Sequence, residues 1–150
     1  MNIKQTHECN IFNFRHLAKY FDVPEKDFLD LYFEIYNDRE FLSAINEQIK
    51  FVKSKWGFKK GIFKMADIPS IDWFAFERVL IYVLIRFFKP KYTLETGVYY
   101  GGNTTFALKA IDKNLSGKLI SIDYPDSQIR SELQSNKRHK LVGDSELYNK

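Results

Sequence analysis

The feature that most constrains this chain is a change of texture at Pro90. Beyond it, short strand-like runs alternate with helical stretches. YTLET (92–96) is followed by TTFALKAIDKN (104–114), KLISID (118–123), SQIRSELQSN (127–136) and HKLV (139–142). Glycine-bearing turns, GVYYGG, NLSG and GDS, punctuate the runs. A strand that is followed by a helix and then another strand has no tight hairpin to reverse it. The β-α-β-α-β order therefore predicts a parallel sheet with crossover helices. The expected fold class is α/β, with about three strands.

The chain before Pro90 reads as helix. Asn13 is positioned to cap NFRHLAKYF, and Pro24 suits the first position of the next helix. There Phe28, Leu31, Tyr32 and Ile35 fall on one helical face. Asp38 is a candidate cap for a helix whose stripe is Phe41, Leu42, Ile45, Ile49 and Val52. Gly57, Gly61 and Pro69 mark a connecting loop. Ser70 precedes an apolar helix, IDWFAFERVLIYVLIRFF, that Pro90 ends. This organisation predicts a helical extension over 1–69 and an α/β domain over 70–150.

Composition removes several functional classes. The longest apolar run, Val79 to Ile85, is far short of the about 20 residues that cross a bilayer. The N-terminus has no signal-peptide pattern. A single cysteine, Cys9, leaves no internal disulfide framework and suits a reducing compartment, so a cytoplasmic chain is expected. The formal charge of +4 is spread out: residues 1–60 carry 10 basic and 9 acidic side chains, and residues 61–150 carry 13 and 10. That distribution is not a phosphate track, and the short cluster Lys137 to Lys140 reads as the solvated approach to a strand. Neither a nucleic-acid nor a membrane partner is expected. His7, Cys9 and His16 match no standard metal-ligand spacing, and no metal is expected.

The chemistry concentrates in Leu94 to Thr105, LETGVYYGGNTT, a strand, a glycine turn and a helix start. Glycines let a ligand approach the backbone, and a helix N-terminus favours negative charge. Gly97, Gly101 and Gly102 have a G-x-x-x-G-G spacing, which departs from the dinucleotide pattern G-x-G-x-x-G. Glu95 also argues against a pyrophosphate, which a carboxylate repels; it attracts an ammonium group. A zwitterionic amino-acid moiety suits both poles of this turn. The local alternative is an ion pair between Glu95 and Lys91. Asp123 ends the second strand. In an open parallel sheet that is where a carboxylate takes a ribose diol, although a turn or cap role is the plainer use of an Asp there.

Glu95, Gly97 and Gly101 in E-x-G-x-x-x-G, followed by Asp123 at a second strand end, resemble the class I S-adenosylmethionine-dependent methyltransferases. The spacing is most similar to the catechol-type and related small-molecule enzymes. The resemblance covers about residues 70–150. It implies a Rossmann-like sheet with S-adenosylmethionine as cofactor and a small molecule as methyl acceptor. By position, Glu95 and the Gly97–Gly102 turn would face the methionine part, and Asp123 would hold the ribose. Asp144 and Ser145 would flank the adenine. Asn103 stands where relatives often carry a serine for the ligand carboxylate, with the Thr104 hydroxyl nearby.

The family's sheet is longer than three strands, so the sequence resembles an amino-terminal half. The substrate side and the catalytic residues are not identified. The family's strand order would leave Tyr92–Thr96 as an open edge, which predicts self-association or a completing partner. Two other readings stand beside the methyltransferase. One is a non-catalytic cofactor-binding remnant or interaction subunit. The other is an NAD-type oxidoreductase fragment, disfavoured by Glu95 and the glycine spacing.

Overall fold

A computed structural model describes residues 3–55, 75–98, 101–123 and 137–143. The connecting loop at 57–69, the helix expected at 127–136, and Asp144 and Ser145 lie outside these residues. The chain is mixed α/β and mostly helical, with a small parallel sheet. It divides into two compact units, Met1–Val79 and Leu80–Lys150. Among the described residues no helix is long and apolar enough to cross a membrane.

The first unit contains α1 (Ile3–Tyr20), α2 (Glu25–Tyr36) and α3 (Arg39–Lys55), and it takes in the start of α4 (Phe76–Phe88). α1 begins well before Asn13, which is a mid-helix residue and not a cap; its side-chain amide lies 3.5 Å from the Cys9 sulfur. The reason is visible in the buried stripe Thr6, Asn10, Phe14 and Ala18. Its first two members are polar, so hydropathy shows no helical period until Phe14. Pro24 sits at the N-cap of α2, one residue earlier than expected. Asp38 does cap α3, accepting the Phe41 N–H at 2.9 Å.

Aromatic packing holds this unit. The Phe14 ring lies 5.4 Å from Tyr32 and 5.1 Å from Phe76, centroid to centroid. His7 stacks on Tyr36 and Tyr32 at 4.4 and 5.5 Å, and its Nδ1 is 2.6 Å from the Tyr32 hydroxyl. Burial pushes the Tyr32 phenol up to about 12; a hydrogen bond with Asn10 opposes the shift, and Tyr36 adds to it. His16 bonds the Phe12 carbonyl at 3.0 Å. Among the described residues, no three or more His, Cys, Asp or Glu side chains gather as a metal site.

The second unit contains the rest of α4, then β1 (Tyr92–Thr96), α5 (Gly102–Asn114), β2 (Lys118–Asp123) and β3 (His139–Gly143). Within the described residues α4 starts at Phe76, after Ala75, which is not helical. α5 starts two residues before Thr104, because the glycines carry the turn into the helix. Among the described residues the sheet is parallel throughout, in the order β1-β2-β3, with β1 at an edge. Thr93 pairs with Leu119, Glu95 with Ser121, and Asp123 with Gly143.

Side chains alternate across the sheet. Thr93, Glu95, Leu119 and Ser121 share the face that meets α5, and Leu119 and Ser121 are fully buried. Tyr92, Leu94, Ile120 and Ile122 share the other face. There Leu94 is 67% exposed and Tyr92 58%. Asn114 ties α5 to α4: its amide donates to the Ile85 carbonyl at 2.8 Å, and its oxygen accepts from Arg86. Gly117, at φ +93°, passes so close to the Pro90 carbonyl that a Cβ would lie 2.7 Å from it.

Candidate functional site

Parallel register brings the carboxyl ends of the strands to one end of the sheet. Glu95 arrives there from β1, Asp123 from β2 and Gly143 from β3. Loops at that end are where open parallel sheets take ligands.

Glu95 is half-buried and held by two hydroxyls. Thr104, at the start of α5, donates to Glu95 Oε2 at 2.8 Å, and Ser121 of β2 donates to the same oxygen at 2.7 Å. Thr104 and Ser121 are themselves fully buried. Two charge-assisted bonds on one oxygen fix the carboxylate's orientation. Oε1 takes no hydrogen bond from a described residue. The local alternative, an ion pair with Lys91, is not formed among the described residues. The Lys91 ammonium lies 5.5 Å over the Tyr92 ring instead.

Beyond Glu95 the backbone turns through Gly97 at φ +76°, and its N–H bonds the Ile122 carbonyl at 2.9 Å. A Cβ built on Gly97 meets no atom within 4 Å, so there is open space above this turn. Gly101 has the same left-handed φ and stands at the N-cap of α5 with no side-chain cap. Its carbonyl accepts both the N–H and the hydroxyl of Thr105, at 2.9 and 2.7 Å. A first helical turn has N–H groups with no partner inside the helix, here from Gly102, Asn103 and Thr104. They form the positive pole of the site, a few residues from the negative pole at Glu95.

The expected residues divide accordingly. Glu95, Gly97, Gly101, Gly102 and Asn103 gather at the β1–α5 turn, and Asn103 is exposed. Thr104 is there too, and its hydroxyl donates to Glu95. Asp123 is half-buried one strand away. Ser121 is the residue sequence reasoning missed. Within KLISID it reads as a small strand residue. The only available signal was its place, two residues before a strand end, which becomes informative once a register is assumed.

No family model, curated protein or solved structure matches the chain.

Proposed function

We propose that the second unit is a Rossmann-like unit that binds S-adenosylmethionine, and that its activity is methyl transfer to a small molecule. One observation carries this reading. A hydroxyl-clamped carboxylate ends β1 beside a left-handed glycine turn and a bare helix N-terminus, with a second carboxylate, Asp123, ending the neighbouring strand.

The donor set suits that cofactor. Glu95 Oε1 is the acceptor for an α-ammonium group, and the N–H groups of Gly102 and Asn103 suit an α-carboxylate. The open space at Gly97 lets the chain of such a ligand lie against the backbone. Asp123 accepts a ribose diol. When bound, the cofactor's sulfonium supplies an electrophilic methyl group. The chain's own contribution is positioning, which dominates a displacement of this kind.

A second reading is favoured by the edge position of β1: a cofactor-binding subunit whose sheet another polypeptide completes. The NAD alternative has less support, since Glu95 occupies the place a pyrophosphate would approach.

Titration calorimetry with S-adenosylhomocysteine tests the proposal. Binding is expected, and NAD is expected to give none. Asp123→Ala should weaken S-adenosylhomocysteine about 10- to 100-fold, the loss of hydrogen bonds to a charged group. NAD binding in preference to S-adenosylhomocysteine, or no binding of either, overturns the reading. Transfer of labelled methyl to an acceptor by the purified chain would decide against the subunit reading.

A further inference from the structure

We propose that β1 is the seam of a homodimer, in which two copies pair antiparallel about a two-fold axis through Leu94. The inference rests on the edge of the sheet, and at Glu95 it draws on the same Oε1 that the proposed function gives to an ammonium group.

The ladder dictates which groups face outward. Lys118 N–H bonds the Lys91 carbonyl at 3.1 Å, and Gly97 N–H bonds the Ile122 carbonyl at 2.9 Å. Alternation along the strand then turns the backbone groups of residues 91, 93, 95 and 97 toward β2. Those of Tyr92, Leu94 and Thr96 point to the opposite edge, where no described strand pairs with them. β1 is a parallel strand with apolar side chains, and such a strand is an exposed template for pairing.

The strand is complementary to itself in one register. With Leu94 on the axis, Leu94 meets the partner's Leu94, and Tyr92 meets the partner's Thr96. These are the positions whose outward N–H and C=O exchange both bonds. Thr93 falls opposite the partner's Glu95 as a non-hydrogen-bonded pair, where side chains approach most closely. Among the described residues the buried Thr93 hydroxyl has no hydrogen-bond partner. In this register it faces a carboxylate whose Oε1 takes no hydrogen bond from a described residue, and the pairing is repeated by symmetry. Lys91 falls diagonal to the partner's Glu95, within reach of a long side chain. Opposite charges approach, and the two Glu95 carboxylates are not set against each other.

The exposed Tyr92 and Leu94 of both copies then lie side by side. The two sheets become one, with these four side chains together on one face. The contact is isologous and closes on itself, which limits it to two copies. It also brings Thr93 and Lys91 of each copy beside the partner's Glu95.

Cross-linking tests the register in a Cys9→Ser background, since Cys9 is exposed. Leu94→Cys places two Cα atoms about 5.5 Å apart, inside the range a disulfide bridges. Mild oxidation should convert most of the chain to a covalent dimer. Tyr92→Cys, facing Thr96 in this register, should give little. Equilibrium sedimentation of the unsubstituted chain should show twice the monomer mass at higher concentration. Leu94→Pro should weaken that dimer about tenfold or more, since it removes an outward N–H and leaves the β1–β2 ladder intact. Leu94→Lys, which opposes like charges on the axis, serves as the second variant. A monomer at every concentration overturns the proposal. So does cross-linking of Tyr92→Cys as efficient as that of Leu94→Cys.

Discussion

The two units bury polar groups for different ends. In the helical unit, Asn10 and Tyr32 are fully buried and His7 joins them, but the three bond and stack with one another inside a layer of aromatic rings. Their hydrogen-bonding capacity is turned inward, so the cluster fixes how α1 meets α2. In the α/β unit, Thr104 and Ser121 are equally buried, yet both hydroxyls converge on a half-buried carboxylate at the open end of the sheet. There the buried polarity orients a group that remains available. The comparison teaches that burial of a polar residue says little about function until its partner is known. A closed network specifies packing, whereas one that ends on an accessible charge prepares a site.

The largest effect is expected from breaking the first of these regions. Phe14 is fully buried between the Tyr32 and Phe76 rings. Phe14→Ala should cost about 3–5 kcal/mol of unfolding free energy in a denaturant titration. A loss below about 1.5 kcal/mol would show that the aromatic layer is not what holds the helices together.

A smaller effect separates the clamp from ordinary packing. Ser121→Ala removes one of two bonds to a carboxylate and should destabilise the chain by about 1.5–3 kcal/mol. In a Glu95→Ala background the same change should cost less, because the Glu95 acceptor is gone. Equal costs in both backgrounds would mean that Ser121 matters for its volume and not for Glu95.

The smallest effect at neutral pH, and a direct contrast between the units, comes from Tyr32. Its folded pKa of about 12 lies above the ordinary phenol value of 10.0. The folded state therefore holds this proton more tightly than the unfolded chain does. The stabilisation is fully present below pH 10 and is lost as pH rises from 10 toward 12. Near-ultraviolet circular dichroism should show the chain loosening over that interval, and Tyr32→Phe should flatten the dependence. An unchanged alkaline limb in Tyr32→Phe would place the titrating group elsewhere.

Much of the second unit was legible because its signals are local. YTLET and KLISID carry the apolar, β-branched runs of strands, and both match the observed strands end to end. HKLV falls on β3, which runs one residue further. Their alternation with helix requires parallel pairing. The glycine turn after Glu95 was legible for the same reason: Gly97 and Gly101 adopt the left-handed φ that glycine makes cheap. The start of α1 was not legible. Thr6 and Asn10 occupy the core stripe, and no hydropathy pattern marks a buried polar residue whose partner lies on another helix.

The sequence by itself determined the order of the elements, the position of the glycine turn, and which carboxylates end the strands. Each of these depends on neighbours within a few residues. Only the tertiary structure decided what holds Glu95. Ser121 lies 26 residues from Glu95 along the chain and reaches it because parallel register sets them side by side. The Thr104 hydroxyl donates to the carboxylate, because α5 packs its first turn against that face of the sheet. Pairing between strands depends on backbone groups that every residue carries alike. The clamp is therefore a property of the assembled sheet and leaves no mark in the composition of the segments that build it.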